Sequence, residues 1–445
     1  MMAVLAGSRK RVSALLAVGA MSMTLAACGS GAPSTNSPGT SSSPGTPPGN
    51  ATSGTVTWGS APIARSNLRS TLISAFEKAY PHIKVNLVTL PTSANAQQSA
   101  LTTQISGGSG PDVYTGDVTW AAQFAKATLA EPLSSYLGSS YFSSFAPGLI
   151  KGATYNSKVY GAPFFTDEGL LYYRKDLLAQ NHLPVPSTWQ QLVSESKTLQ
   201  SAHLVKYGYV WQGASYEGLT CDWVEFMADA GGTLTNSAAT KSTIDSKASL
   251  KALTFMRSLI TSGVSPAAVS TYQEPQSLAV FDGGQAAFMR FWPEGYAPAV
   301  SALGASKVGV APMPTFAGQS APGYSVVGGQ NLYLNPHAKN MAASITFIKW
   351  LTGSQAQTMM ATKYAMVPSN AAVRSSKAVT SSSPVLAAIA KTKLISRPSY
   401  TPNYTRASQA IYSNVNSALS GATSPKAALS AAQSQMNTAL SGSGI

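Results

Sequence analysis

The stretch from Tyr160 to Leu178, YGAPFFTDEGLLYYRKDLL, constrains the fold of this chain more than any other. Its first half is an aromatic run bounded by Gly and Pro, and Leu170 to Tyr173 are all apolar, as in a strand buried on both faces of a mostly parallel sheet. Asp167 and Glu168 lie between the two runs, where an unpaired carboxylate would be costly to bury. The stretch therefore predicts a strand that crosses between two lobes, with its acids opening onto the groove between them.

Strand and helix patterns surround this stretch. Residues 55–59 and 83–88 alternate as strands around a helical spacing over 66–80, which predicts a βαβ unit in a parallel sheet. A third strand over 111–115 follows a helix over 96–106. Ligands of open α/β sheets bind outside the carboxyl ends of strands. Asp117 is thus the first site candidate, with Trp120 one helical turn further on.

Later segments extend the α/β pattern to the end of the chain. They predict a helix that begins at Ser187 or Thr188, strands over 207–211 and 286–289, and a second crossing over 308–314. Helices are predicted over 338–351, 408–419 and 425–440. The sequence contains no internal repeat.

The first 28 residues have the pattern of a secretion signal. Arg9 to Arg11 are basic, residues 12–25 are apolar, and Leu25-Ala26-Ala27-Cys28 resembles the bacterial lipobox, after which Cys28 would be the lipidated N-terminus. Residues 29–54 are rich in Ser, Gly and Pro, which predicts a disordered tether. We therefore expect a body that Cys28 anchors to the extracellular face of the cytoplasmic membrane.

The chain is basic because acids are scarce: 30 Lys and Arg stand against 16 Asp and Glu. No Lys or Arg cluster is left once the signal is removed, which excludes nucleic-acid binding. Scarce carboxylates would suit an acidic exterior. The four His lack metal-ligand spacing, so neither a metal nor a cofactor is expected, and Cys221 in an apolar helical run predicts a buried, inert thiol.

Seven features in order resemble a known family. The lipobox, the tether, PDVYTGDVTW, APFFTDEGLLYYRKDLL, PSTWQQL, AAFMRFWPEG and VGGQNLYL are similar to those of extracellular solute-binding proteins, within these to the receptors of ABC importers for trehalose, maltose and related oligosaccharides. The resemblance implies an α/β, maltose-binding-protein-like fold of two lobes joined by hinge strands. It places 55–165 and 310–352 in the N-terminal lobe and 166–309 and 353–445 in the C-terminal lobe, after a signal over 1–27 and a tether over 28–54.

The resemblance also implies a set of residues around the ligand. Sugar binding needs planar acceptors and donors for hydroxyls, and aromatic faces for the C–H side of the ring. Together with Trp120, the candidates are Asp117, Asp167, Tyr216, Glu217, Trp292, Gly328, Gly329, Gln330 and Arg397. Gln330 stands where relatives often have Trp, so the resemblance does not extend to a stacking platform at that position.

Several candidates have a structural alternative. Asp117 could be a helix N-cap, although Thr119 could cap instead, and Trp292 could be a core side chain. Arg397 could be a surface or ion-paired residue. Because neighbouring strand residues point to opposite faces, only one of Asp167 and Glu168 should face the cleft, and the family register favours Asp167.

The sequence thus predicts a monomeric receptor, not an enzyme, that binds a di- or oligosaccharide and delivers it to an ABC permease in the membrane. Two alternatives stay open. One is a receptor for another solute, such as a glycerol phosphodiester. The other is a secreted glycosidase that uses two of the carboxylates Asp117, Asp167, Glu217 and Glu294.

Overall fold

A computed structural model describes residues 53–63 and 67–442. The predicted signal, Cys28 and most of the tether lie outside these ranges. The strands are β1 (Gly54–Ser60), β2 (Ile83–Thr89), β3 (Val113–Asp117), β4 (Thr154–Tyr155), β5 (Lys158–Val159), β6 (Gly161–Glu168), β7 (Leu170–Arg174), β8 (Tyr207–Val210), β9 (Ala286–Phe291), β10 (Val308–Ala311), β11 (Tyr324–Leu334), β12 (Val367–Pro368) and β13 (Lys393–Ile395).

Helices separate most of these strands. They are α1 (Leu68–Ala79), α2 (Ala94–Ser106), α3 (Ala121–Lys126), α4 (Ser139–Phe142), α5 (Pro147–Gly152), α6 (Lys175–Gln180), α7 (Trp189–Ser201), α8 (Glu217–Asp229), α9 (Lys247–Thr261), α10 (Glu274–Asp282), α11 (Tyr296–Leu303), α12 (Met341–Leu351), α13 (Ser354–Tyr364), α14 (Ala371–Arg374), α15 (Lys377–Thr380), α16 (Pro384–Ile389), α17 (Tyr404–Ser420) and α18 (Pro425–Leu440). Within the described ranges, none of them has the length and apolarity of a membrane span.

The larger sheet has the strand order β12-β6-β11-β3-β1-β2, and β13 pairs with β11 as well. As the βαβ pattern predicts, β1 is parallel to β2, and it is also parallel to β3. β11 runs antiparallel between β3 and β6. This position joins distant parts of the sequence, because Gln330 pairs with Asp117 and Gly328 pairs with Asp167.

The smaller sheet has the order β10-β7-β9-β8. β7 follows β6 after Gly169 alone, so the stretch 160–178 does pass from one sheet to the other. The expectation of a mostly parallel sheet around β7 is wrong, since β7 is antiparallel to both β9 and β10. An apolar run indicates that a strand is buried, but burial does not determine whether the neighbouring strands are parallel or antiparallel to it.

The return between the sheets also differs from the prediction. The second crossing was expected over 308–314, but β10 pairs with β7 and belongs to the smaller sheet. The chain enters the larger sheet with β11, whose Val327 already pairs with Glu168 of β6. β12, which follows residue 352, also pairs with β6. The lobe boundaries given above stay a prediction.

Aromatic side chains fill the cores beside the two sheets. Trp58 of β1 meets Phe347 of α12 edge to face with ring centroids 5.4 Å apart. Next to the smaller sheet, Trp189 of α7 stacks on Phe226 of α8 at 4.1 Å. Each such buried ring stabilises the fold by roughly 1.5–3 kcal/mol. Trp223 and Trp350, which the sequence places in the core, are both buried, and Thr188 caps α7 with a capping box.

Candidate ligand-binding cavity

A cavity of about 480 Å³ opens beside β11, at the ends of β3 and β6 and at the segments that follow β8 and β9. Strand ends supply much of its wall, as in other open α/β sheets. Nine of the ten predicted residues line it: Asp117, Asp167, Tyr216, Glu217, Trp292, Gly328, Gly329, Gln330 and Arg397. Whether they bind a ligand stays a prediction.

Trp120, the tenth, lies away from this cavity. Its side chain is 4% exposed, and its ring stacks on Phe124 with centroids 5.2 Å apart. The ring packs over Gly116 of β3. Because Gly116 and Asp117 point to opposite faces of the strand, a residue that covers Gly116 faces the core when Asp117 faces the cavity.

Arg397 joins two carboxylates of the cavity wall. Its Nη1 donates to Glu217 Oε1 at 2.6 Å, and its Nη2 lies 3.5 Å from Asp117 Oδ1. Glu217 Oε1 also accepts from the Tyr404 hydroxyl at 2.6 Å. Burial raises the pKa of Glu217, and the Arg397 charge opposes that rise. Arg397 is thus an ion-paired residue, as its structural alternative stated, and it is at the same time part of the cavity wall.

Asp117 has a local structural role in addition to its place on the wall. Its Oδ1 accepts from the Thr119 backbone N–H at 2.8 Å and from the Thr119 hydroxyl at 2.7 Å. Thr119 therefore donates to Asp117, and α3 begins after Trp120 without a side-chain cap. This turn fixes the Asp117 carboxylate beside Arg397.

Asp167 and Glu168 lie in different surroundings. Glu168 is 1% exposed, and its Oε1 accepts from Arg374 Nη2 at 3.1 Å. Asp167 lines the cavity, and its Oδ1 is buried without a hydrogen-bond partner among the described residues. Burial raises the pKa of Asp167 well above its usual range, and the nearby charge of Glu294 raises it further.

Other polar atoms on the wall share this property. Glu294 Oε2, Gln330 Oε1 and Arg397 Nε are buried, and none has a hydrogen-bond partner in the part of the chain that the structure describes. An unsatisfied buried polar group costs about 1–3 kcal/mol. Acceptors and donors therefore converge on one space, where a ligand with several hydroxyl or N–H groups would satisfy them.

Trp292 supplies the aromatic part of the wall. The Arg290 guanidinium lies 3.8 Å from the centroid of its ring, and its Nε1 donates to Glu274 Oε1 at 3.4 Å. The edge of the ring faces Gly328, where an added Cβ would lie 3.1 Å from it. Next to Gly328, Gly329 has a φ of +108°, which other residues rarely adopt. These contacts hold the indole in one orientation beside the backbone of β11.

Arg290 belongs to a buried ionic group, here named the Arg290 cluster: Arg290, Asp222, Glu225 and Gln212. Arg290 Nη2 lies 2.7 Å from Glu225 Oε1, and Arg290 Nε lies 3.0 Å from Asp222 Oδ1. Asp222 Oδ2 accepts from the Gln212 backbone N–H at 2.8 Å. Each carboxylate of the cluster therefore has a cation and a place in a hydrogen-bonded group.

Sequence reasoning missed part of the cavity wall. Glu274 lies in the first turn of α10, where an acid is common for reasons of helix stability, so the sequence gives no ligand signal there. The sequence indicates Glu294 only as a possible carboxylate of a glycosidase. Cys221 is buried as predicted, burial raises the pKa of its thiol, and it also lines the cavity. Among the described residues, no group of three or more His, Cys, Asp or Glu is placed to hold a metal ion.

Comparison with known proteins gives matches over most of the folded chain. The sequence profile of a family described as bacterial extracellular solute-binding protein matches residues 64–358. A Deinococcus radiodurans protein named "Probable ABC transporter-binding protein" is 31% identical over 364 residues, which cover 79% of this chain and 86% of that protein.

Solved structures match as well. Maltose-bound T. maritima MalE3 has a TM-score of 0.79 at 31% identity and covers 86% of this chain and 98% of its own. An ABC transporter solute-binding protein from Thermotoga lettingae, bound with α-D-tagatose, has a TM-score of 0.78 at 25% identity and covers 87% of this chain and 100% of its own.

Proposed function

This chain belongs to the family of bacterial extracellular solute-binding proteins, and we propose that it is the sugar receptor of an ABC importer. The predicted family and the α/β, maltose-binding-protein-like fold are confirmed by the matches above. The proposed ligand is a di- or oligosaccharide of the trehalose or maltose type. The protein is proposed to bind the sugar without changing it.

One observation carries the proposal: unsatisfied polar atoms and an aromatic wall line the same cavity. Asp167 Oδ1, Gln330 Oε1 and Arg397 Nε can exchange hydrogen bonds with hydroxyls, while the ring of Trp292 can pack against the C–H side of a pyranose. A volume of about 480 Å³ falls within the usual range of small-molecule sites.

The wall also suggests how binding is linked to a change of shape. Asp117, Asp167 and Gly328 belong to strands of the larger sheet, whereas Trp292 follows β9 of the smaller sheet and Glu217 begins α8. A sugar held by both groups would stabilise the arrangement that brings them together, by its higher affinity for that arrangement. We propose that this closed arrangement is the one that an ABC permease receives.

The charge of the wall argues against a phosphodiester ligand. Among the described residues, Arg397 is the only base of the cavity wall, and Asp117 and Glu217 already hold it. A phosphate would meet Asp167 and Glu294 without a free cation. The negative charge of the phosphate would be repelled by these carboxylates, which disfavours binding. We therefore propose a sugar and not a phosphodiester as the ligand.

A glycosidase stays the second candidate, because one specific observation favours it. Asp167 and Glu294 line the same cavity, and burial raises the pKa of Glu294 to about 7, a value suited to a general acid. The family membership supports binding without chemistry. Chromatography of the sugar after binding distinguishes the two.

We also propose an anchor and a location for the receptor. Lipidation of Cys28, after removal of residues 1–27, would anchor a monomeric body to the extracellular face of the cytoplasmic membrane through the tether over 28–54. Metabolic labelling with palmitate tests this proposal. Label should enter the wild-type protein and should be absent from the Cys28→Ser variant.

The ligand test is a tryptophan fluorescence titration with trehalose, maltose, maltotriose, sucrose, xylobiose and a glycerol phosphodiester. A saturable signal with an intact sugar, lost in Trp292→Phe and kept in the core variant Trp350→Phe, is expected. Each mixture is then analysed by thin-layer chromatography. Cleaved sugar would favour the glycosidase, and saturation by the phosphodiester alone would overturn the sugar proposal.

A further inference from the structure

The charges of the cavity wall do not balance. Five carboxylates line it, and among the described residues a single base accompanies them, Arg397. The five are Asp117, Asp167, Glu217, Glu274 and Glu294. Arg397 pairs with Asp117 and Glu217, which leaves three, here named the cleft carboxylates: Asp167, Glu274 and Glu294.

Within the described ranges, the cleft carboxylates have no ion-pair partner within 4.0 Å. Glu274 accepts from the neutral indole of Trp292, while Asp167 Oδ1 and Glu294 Oε2 have no hydrogen-bond partner there. Arg290 is the other base in this region, and its charge is already balanced by Asp222 and Glu225. A ligand is therefore the group that could balance the cleft carboxylates.

Repulsion among these acids supports the same reading. Besides burial, the pKa of Asp167 is raised by three neighbouring acids, Glu294, Glu168 and Asp117, and lowered only by Arg290. Burial raises the pKa of Glu294, and the Glu274 charge adds to that rise. A neutral sugar would not stabilise the ionised form of these acids, whereas a cation beside them would.

We infer that the ligand of this cavity carries a protonated amine, as an amino sugar or an aminocyclitol glycoside does. This inference rests on the sugar-binding function proposed above and narrows it. An ammonium group donates three hydrogen bonds and accepts none, which suits a wall of unpaired carboxylate oxygens. The hydroxyls of the ligand would form hydrogen bonds with Gln330 and Arg397, and its ring would pack on Trp292.

The inference is tested by calorimetric titration at pH 7.0 with matched sugars. Maltose, trehalose and cellobiose are each compared with the analogue in which the hydroxyl at C2 or C6 is replaced by an amine, and with its N-acetyl derivative. Charge-assisted hydrogen bonds are about twice as strong as neutral ones, so at least one amine should bind roughly tenfold tighter than its neutral parent. The N-acetyl derivative has the nitrogen without the charge and should lose this preference.

Isosteric variants assign the preference to the wall. Asp167→Asn and Glu294→Gln each remove a carboxyl group that can ionise beside an ammonium group, so the ratio of amine to parent affinity should fall severalfold in both. The control is Glu131→Gln, because Glu131 bonds to Tyr136 and does not line the cavity, and its ratio should equal the wild-type ratio. Circular dichroism of each variant checks the fold.

Failure of this inference differs from failure of the proposed function. Neutral parents that bind as tightly as their amines overturn the inference alone and leave a receptor for neutral sugars. The inference is also overturned if amines are preferred and both Asp167→Asn and Glu294→Gln leave that preference unchanged. The ammonium group would then contact other residues. If neither neutral nor charged sugars bind, the sugar receptor and the inference fail together.

Discussion

Two groups of buried acids adjoin Trp292, and they differ in whether a cation lies beside their carboxylates. In the Arg290 cluster, Asp222 and Glu225 lie within 3.0 Å of one guanidinium. In the cavity, Asp167 and Glu294 keep buried oxygens without a partner among the described residues. The acids on one side of the site thus share a cation, whereas Asp167 and Glu294 on the other side have no ion-pair partner among the described residues.

The difference separates a structural role from a binding role. A buried ion pair contributes little net stability, yet removal of one partner is strongly unfavourable. The Arg290 cluster therefore positions Trp292, on whose ring Arg290 stacks. For Asp167 and Glu294 we expect the buried carboxyl groups to lower the stability of the empty protein and, if the proposed function is right, to gain partners from the ligand.

The largest effect is expected from Arg290→Met, which removes the cation of the cluster and keeps much of its volume. Asp222 and Glu225 would then be buried without a cation, so the free energy of unfolding should fall by about 3–5 kcal/mol. Urea denaturation at pH 7 measures this. Lys84→Met is the matched control, because the Lys84–Glu77 pair is on the surface and should contribute less than about 1 kcal/mol. Equal losses in both variants would contradict the role of the cluster.

A pH profile of stability is expected to rise towards acid. Burial raises the pKa values of Glu195, Asp229 and Glu294 to about 7, above their unfolded values near 4. A raised folded pKa contributes stability that is complete below the unfolded pKa and is lost as the pH rises through the folded one. Stability should therefore increase by a few kcal/mol between pH 8 and pH 5.

The scarcity of exposed carboxylates is consistent with a stability that rises towards acid pH. The chain has 16 acids, and each is buried or half-buried in the structure. Few exposed carboxylates are thus left to lose favourable interactions in acid; Asp176 and Glu77, whose pKa values are lowered, would weaken the fold only below about pH 4. A melting temperature that falls steadily from pH 8 to pH 5 would contradict the account and the hypothesis of an acidic exterior.

Glu294→Gln should have the opposite sign to Arg290→Met. Because the folded pKa of Glu294 is raised from 4.5 to about 7, its charge destabilises the empty protein at pH 8. Its removal should raise the free energy of unfolding by about 1–3 kcal/mol at pH 8 and leave it nearly unchanged at pH 5. Urea denaturation at both pH values measures this, and a loss of stability at pH 8 would show that Glu294 is satisfied by a partner.

Glu195→Gln is the smallest of these tests and separates burial from binding. Glu195 lies on α7, is 5% exposed and does not line the cavity, and burial alone raises its pKa to about 7. Removal of the charge should stabilise the protein at pH 8 by about 1 kcal/mol. Sugar affinity, measured by calorimetry, should be unchanged; a change as large as that of Glu294→Gln would mean that the cavity has no special role.

The sequence was sufficient for those parts of the fold that depend on local pattern. The βαβ start, the passage from β6 to β7 and the range of α18 follow from alternation, helical spacing and the Gly and Pro positions. The family resemblance then named nine residues that the structure places around one cavity. Trp120 does not line that cavity, because it covers Gly116, and Gly116 and Asp117 face different sides of β3.

The rest depends on pairing that the local sequence does not contain. Nothing in AAFMRF indicates that Arg290 meets Asp222 and Glu225, which lie more than sixty residues earlier on α8. The antiparallel neighbours of β7 and the insertion of β11 between β3 and β6 are likewise set by the return path of the chain. Glu274 was missed because an acid in a first helical turn has an ordinary explanation.

The most direct test is a crystal structure of the protein with the tightest-binding sugar of the panels above. The account predicts a sugar ring packed on Trp292 and a hydroxyl or ammonium group within about 3.2 Å of Asp167 Oδ1. A sugar bound on the far side of Arg397, beside Leu149 and Tyr400, with Trp292 and Asp167 untouched, would contradict it.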